Sequence, residues 1–490
     1  MVAKWPAICR IGCLVLVMAG GLAQADRSAL AAEAAPAAVG QPAPLPVEAT
    51  ALGPLLLAAG VTPAQAAVEL LPLDGGALRA RLNADQPRSP ASTMKLVTSI
   101  AALDLLGPEF RWSTRFAARA APQAGRLAGP LYLKGGGDPQ FRLEDLWASL
   151  RELRLAGVRS LDGALVVDRS LFRPLPHDDG AFDGEPLRSY NAGADAALLG
   201  WKARALHIAP AGERIALTLD PPDPAHRLVT RLRLVDRPCG DWKAGVALSA
   251  DAATLTLSGD WPRSCGAQTW WINLGSHDDY LLAAIDSLWR ELGGQFAHRP
   301  TLTEGEAPAD AVTLVERESA ALAETLVGMN KQSNNVMARQ LFLMLGARRS
   351  GPGADETAAS AAVADWLAAR GFAFDGLVIE NGAGLSRLDR IRAGDLAALL
   401  AWAWRMPFQA ELVASLPIVG RDGTMRRRLA DAAVPAHIKS GAIDGTRAVA
   451  GYVQALSGRR YALVGIVNGA EPARANAFND ALIRWVAENG

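Results

Sequence analysis

Three short clusters in the chain hold the residue types that acyl transfer needs. Ser92 and Lys95 stand three apart in Ser89-Pro-Ala-Ser-Thr-Met-Lys95. On a helix that spacing puts both side chains on one face, within hydrogen-bonding reach. Once its ammonium has lost its proton, a lysine can deprotonate a serine, and burial or a second cation nearby drives it toward that state. Ser333-Asn-Asn335 adds a second hydroxyl and an amide, and Lys439-Ser440-Gly441 adds a second cation. The roles divide accordingly. Ser92 is the nucleophile and Lys95 its base; Ser333 relays a proton to the leaving nitrogen, and Asn335 holds Lys95 and the substrate amide. Lys439 receives a substrate carboxylate and helps to keep Lys95 neutral. Ser440, Gly441 and Ala442 line up a peptide along an edge strand, with the N–H groups of Ala442 and Ser92 forming an oxyanion hole. Each cluster is weak alone, since a capping serine before an ordinary helical lysine also gives Ser-x-x-Lys. Ser189-Tyr-Asn191 fits Ser-x-Asn equally well and is read as a decoy.

The elements around these clusters must hold them together. Pro90 suits a helix start and Gly107-Pro108 a helix end, and the apolar residues between predict a buried core helix opened by Ser92. Two strand-like runs between Val68 and Asn83 flank Asp74-Gly75-Gly76, a hairpin signal. Segments from Leu206 to Leu257 alternate as strands do, and the pattern turns helical near residue 305. It closes with strands at Ala436–Ile443, 448–456 and 461–468 and a helix over 473–488. Ser333 is expected in the turn between two helices. The fold class is α/β (α+β): an antiparallel sheet flanked by helices, residues 51–112 and 305–490, interrupted by a β-rich insertion over 113–304.

Lys+Arg and Asp+Glu are both 50, so the formal charge is zero, which argues against a nucleic-acid partner and a polybasic membrane patch. Lys4 and Arg10, the apolar run from Ile11 to Leu22 and Ala23-Gln-Ala25 predict a secretory signal over 1–25, cleaved after Ala25. Cys13 lies at the start of the apolar run, a poor place for lipid attachment. Residues 26–50 read as a flexible lead-in, and no later stretch is apolar and long enough to span a bilayer, so a periplasmic location is expected. Removing the signal leaves Cys239 and Cys265, which an oxidising compartment would join as a disulfide. His177-Asp-Asp179 and His277-Asp-Asp279 read as solvated turns and not as a metal site, because adjacent residues rarely converge on one ion. His437 shares a strand face with Lys439, but the lysine already supplies the base. Trp270-Trp271 and Trp402-x-Trp404 read as core, and Arg426-Arg-Arg428 as a solvated face.

Taken together, Ser89-Pro-Ala-Ser-Thr-Met-Lys95, Leu131-Tyr-Leu-Lys-Gly-Gly-Gly-Asp-Pro139, Gly382-Ala-Gly-Leu-Ser-Arg387, Gly420-Arg-Asp-Gly-Thr-Met425 and Lys439-Ser-Gly441 resemble the class C low-molecular-mass penicillin-binding proteins of the DacB type. The ordered trio is shared with class A β-lactamases, apart from Asn334 where the common pattern has Asp. The gap from Ser92 to Ser333 is more than twice that from Ser333 to Lys439, which leaves room for an insertion that a compact β-lactamase lacks. The resemblance implies a transpeptidase-like domain carrying all three motifs, with two small inserted domains, the inner one over 138–218. It implies a serine D-Ala-D-Ala carboxypeptidase with endopeptidase activity on peptidoglycan, acylated and inhibited by β-lactams, with no metal or organic cofactor. It also implies a pocket for a diaminopimelate side chain. Arg387 would pair its carboxylate and an acidic residue of the insertion its ammonium; Asp183 is preferred to Glu185, and both to Tyr190. Asp444 falls at the same pocket. The rivals are a β-lactamase-like hydrolase, for which no Glu-x-x-Asn follows the Ser92 helix, and a catalytically silent wall-binding scaffold. Oligomeric state, a homo-oligomer included, is left open.

Overall fold

The computed structural model describes residues 49–75, 78–430 and 434–490. The expected signal segment, most of the lead-in and Gly76 of the hairpin lie outside the described residues. The lead-in ends earlier than expected, because a helix already starts at Ala49 and runs to Ala59.

Five strands pair antiparallel in the order Ala436–Ile443, Thr446–Gln454, Arg460–Asn468, Ala66–Pro72 and Ala80–Leu82. Alternate side chains serve two cores. Val68, Leu70, Val449 and Leu463 share a buried cluster with Leu52, Phe478 and Leu482 of the helices Ala49–Ala59 and Pro472–Asn489. On the other face Ala67, Ala450, Val464 and Ile466 meet Val97, Leu341 and Leu400. With both faces covered, the strand Arg460–Asn468 is buried without a break from Tyr461 to Val467, which is why it reads as a continuous apolar run. The helix Lys95–Leu106 lies in the second core, buried from Lys95 to Leu103, and stops at Gly107 with φ +86°. Ser92 does not open that helix. It sits in the tight turn Ala91–Met94 that feeds it.

The insertion divides differently from the expected boundaries. Its first sheet runs in the order Leu302–Glu304, Leu165–Asp168, Leu131–Lys134, Ser113–Ala118 and Val312–Glu318. The helices Leu143–Leu155 and His277–Glu291 pack on it through Leu146, Leu150, Leu281 and Ile285. Because Val312–Glu318 pairs with Ser113–Ala118, this sheet closes at Glu318 and not near residue 305. The inner body is a sandwich over 203–273, not 138–218. One of its sheets holds Ala203–Ala211, Arg214–Asp220 and Gln268–Asn273, the other Arg227–Val235, Val246–Ala250 and Thr254–Pro262. Leu206, Ile208 and Ile215 meet Leu255, Leu257 and Trp261 between them, and the Cys239–Cys265 disulfide staples this body. The reason for the shift is a crossover: the helix Leu143–Leu155 returns the chain to a parallel pairing of Leu165–Asp168 with Leu131–Lys134.

Candidate active site

Two backbone segments press on the turn that presents Ser92. A Cβ on Gly384 would lie 1.9 Å from the Ala91 carbonyl oxygen, and one on Gly441 would lie 2.6 Å from that of Pro90 and 3.1 Å from the Ser92 nitrogen. These close approaches need glycine. They explain why the Gly382–Arg387 and Lys439–Gly441 segments carry it. Ala91 takes φ +46° to make the turn, leaving Ser92 9% exposed at the cleft floor.

Lys95 Nζ lies 2.7 Å from Asn335 Oδ1, 2.6 Å from the Ala383 carbonyl oxygen and 3.0 Å from Ser92 Oγ. A neutral amine has two hydrogens and one lone pair. Asn335 Oδ1 and the Ala383 carbonyl can only accept, so they take both hydrogens and leave the lone pair facing the Ser92 hydroxyl. Burial above all, then the cations Lys439 and Arg339, hold the Lys95 pKa well below the usual lysine value, with Asp389 opposing. Burial lowers Lys439 to about 7. The structure thus gives Lys95 the character of a base.

Ser333 ends the helix Leu322–Gln332 in the left-handed region at φ +56°, and Asn335 begins the helix Asn335–Ser350. Asn334 caps that helix, its side chain accepting from the Met337 N–H at 3.0 Å. Lys439 Nζ donates to Ser333 Oγ at 2.9 Å and to the Ser440 carbonyl at 2.8 Å. Ser92 and Ser333, each hydrogen-bonded to a buried lysine, both line a cleft of about 650 Å³, together with Asn335, Ser440, Gly441 and Ala442. Lys439 to Ile443 lies on the sheet's edge strand, with no strand beside it among the described residues. Among the described residues its start is covered by Ile418 against His437. A peptide can add there as a further strand.

Asp183 lines this cleft, held by the Tyr190 hydroxyl and Asn191 Nδ2, each at 2.8 Å. Burial would raise its pKa, but those bonds keep it below the ordinary carboxylate value. Glu185 points to Arg188 instead, at 3.6 Å. Arg387 is at the rim. It lines a neighbouring cavity of about 400 Å³, stacks over Phe182 at 4.7 Å and pairs with Asp444 at 3.2 Å. Asp444 is a wall of the Ser92 cleft, and Phe182 borders both cavities. The structure thus brings Asp183 to the Ser92 cleft and leaves Arg387 one side chain away.

Sequence reasoning missed several neighbours. The Ser189–Asn191 decoy is beside the site: the Tyr190 carbonyl accepts from Asn335 Nδ2 at 3.4 Å. Thr424 shares a hydrogen bond with Ser440 at 2.6 Å; its signal was the Gly420–Met425 segment, quoted for resemblance without a role. His437 does not reach Ser92; it lies 3.1 Å from the Val413 carbonyl oxygen and lines a separate cleft. Arg428 is no solvated charge, since it pairs with Asp480 at 2.6 Å. Asp278 and Asp279 sit in the first turn of a helix, and His177 binds the Asn191 carbonyl. Trp270 and Trp402 are core, as expected, while Trp271 is 56% exposed.

A serine hydrogen-bonded to a buried lysine, beside an open strand edge, is the arrangement that a serine-type acyl-transfer enzyme requires. The profile of the D-Ala-D-Ala carboxypeptidase 3 (S13) family matches residues 55–489, and the chain belongs to that family. It is 29% identical over 433 residues to the D-alanyl-D-alanine carboxypeptidase of Actinomadura sp. (strain R39), covering 81% of this chain and 77% of that one. It is 24% identical over 386 residues to D-alanyl-D-alanine carboxypeptidase DacB of Haemophilus influenzae, covering 77% of this chain and 80% of that one. The crystal structure of penicillin-binding protein 4 (dacB) from Haemophilus influenzae superposes with a TM-score of 0.74 at 22% identity, over 89% of this chain and 99% of that one. That protein has also been seen complexed with a β-lactam.

Proposed function

We propose that this serine-type D-Ala-D-Ala carboxypeptidase acts on diaminopimelate-type peptidoglycan stem peptides and, as an endopeptidase, on their cross-links. The observation that carries the reading is Lys95 Nζ 3.0 Å from Ser92 Oγ, with its two other close contacts, Asn335 Oδ1 and the Ala383 carbonyl oxygen, able only to accept. Lys95 takes the Ser92 proton as Oγ bonds to the carbonyl carbon of the penultimate D-Ala. The N–H groups of Ser92 and Ala442 hold the oxyanion. The C–N bond then breaks, and the proton passes through Ser333 to the leaving amine; water later hydrolyses the ester and frees Ser92. Lys439 meets the terminal carboxylate. In a cross-link the leaving amine belongs to a second stem's side chain, and the open edge leaves room for it. Asp183 faces a diaminopimelate ammonium, and Arg387, swung from Asp444, grips the carboxylate. A β-lactamase would need a further free base for fast deacylation, but Asp183 and Asp444 on the cleft wall are already bound by Tyr190, Asn191 and Arg387.

The N-terminal charge, apolar run and Ala23-Gln-Ala25 support export to the periplasm, with the mature chain starting at Asp26; N-terminal sequencing of the exported protein checks that. Mass spectrometry of purified muropeptides tests the activity. The expected result is loss of D-Ala from pentapeptides and conversion of cross-linked dimers to monomers, both abolished in Ser92→Ala, which also loses penicillin labelling. Arg387→Ala should slow diaminopimelate peptides about 10- to 100-fold while penicillin acylation changes little. Intact dimers after full D-Ala release would refute the endopeptidase half, and equal losses on both substrates would refute the role of Arg387.

A further inference from the structure

Arg339 belongs to none of the motifs, and its setting is unusual for a cation. It follows Asn335 by one turn on the same helix, on the same face, and is only 8% exposed. Among the described residues it makes no ion pair. Its Nη1 donates instead to the carbonyl oxygens of Asn191 at 3.0 Å and Ala192 at 2.5 Å. The two carbonyls take the hydrogens of Nη1 but leave the charge uncompensated, which is costly in a buried position. Burial brings its pKa down to about 10, so it stays charged at neutral pH; Asp179 and Glu356 oppose that shift from farther away. Asp179 is itself taken by Lys202 at 2.9 Å.

The turn that Arg339 grips is in contact with two site residues. Asn191 Nδ2 donates to Asp183, and the Tyr190 carbonyl accepts from Asn335 Nδ2. We propose that Arg339 is a positioning residue for acylation, locking the Tyr190–Ala192 turn onto the Asn335 helix and giving Lys95 a positive neighbour besides Lys439. The charged groups that bear on Lys95 come from three elements: Lys439 on the edge strand, Arg339 on the helix and Asp389 on the segment after Ala383. Asp389 opposes the two cations, but burial lifts its own pKa to about 6, so it is the weaker influence in acid.

The inference rests on Lys95 acting as the base for Ser92, which loss of penicillin acylation in Lys95→Ala tests separately. The experiment measures the acylation rate constant across the acid limb of its pH profile, and KM for a diaminopimelate peptide, in Arg339→Gln and Arg339→Lys. Removing a positive neighbour stabilises protonated Lys95, so in the glutamine variant the limb should move up by about one pH unit. The lysine variant keeps the charge and should keep the limb. Its shorter side chain ends before the Nη1 position from which both carbonyls are bonded, so its KM should rise several-fold. A folded glutamine variant with an unmoved limb would overturn the proposal. If that variant does not fold, the lysine variant decides: a retained limb with a raised KM supports the proposal, and a shifted limb or an unchanged KM overturns it.

Discussion

Lys95 Nζ has three polar neighbours, two of which can only accept, and this bears on the proposed direction of proton transfer more than proximity does. The same logic at Lys439 gives a pH prediction. Its amine is charged below about 7 and neutral above, and only the charged form attracts a substrate carboxylate. In the free enzyme kcat/KM for a D-Ala-D-Ala peptide should therefore rise with pH as Lys95 loses its proton, then fall through about 7 as Lys439 loses its own. A bound carboxylate favours the charged lysine, so the falling limb of kcat should lie at higher pH than that of kcat/KM. Rate measurements at limiting and saturating peptide separate the two limbs; coincident limbs would count against Lys439 as the carboxylate's partner. The trio Ser92, Ser333 and Lys439 was legible because each stands in a short pattern of its own. Tyr190, Asn191 and Arg339 had no such pattern, because their roles depend on contacts across the chain.

At the scale of elements, the junction of the helices Leu322–Gln332 and Asn335–Ser350 does the positioning. Ser333 is left-handed, and one residue alone separates it from the next helix, so that residue has to supply the cap. Asn334 supplies that cap, which gives the middle residue of the triplet a structural task. Asn334→Ala should cost about 1 kcal/mol in urea unfolding and slow acylation by loosening Ser333 and Asn335. Asn334→Asp should keep both stability and rate. A stability loss without any change in acylation would separate the cap from the site. The closing helix, expected over 473–488, runs Pro472–Asn489, one residue longer at each end, because Pro472 suits the first helical position. The start of the Lys95 helix was displaced because the turn Ala91–Met94 is tight, a feature that apolar periodicity does not carry.

At the scale of the whole molecule, the inserted sandwich takes no part in the Ser92 cleft, whose insertion-side wall comes from Phe182, Asp183 and Tyr190. Stability and activity should therefore separate. The Cys239–Cys265 bridge spans 26 residues inside the sandwich, and its reduction should destabilise that body by about 3 kcal/mol. Penicillin labelling of Ser92 should persist under mild reduction. Loss of labelling in step with reduction would mean that the sandwich supports the cleft after all.

The chain's linear order was enough to determine what depends on near neighbours: residue chemistry within a motif, strand and helix periods, and a pair of cysteines. That includes the edge strand Ala436–Ile443, whose limits the structure reproduces. Tertiary structure alone decided which strands pair, and so moved the inner body to 203–273 and the end of the insertion to Glu318. It also decided that Asp183 lines the Ser92 cleft while Arg387 stays at its rim, and that Arg339 is buried under the insertion's turn. The physical reason is that periodicity records which face of an element is buried and not what buries it. Partners far apart in sequence are chosen by packing and by the need to satisfy buried backbone groups, and both act only once the chain has closed on itself.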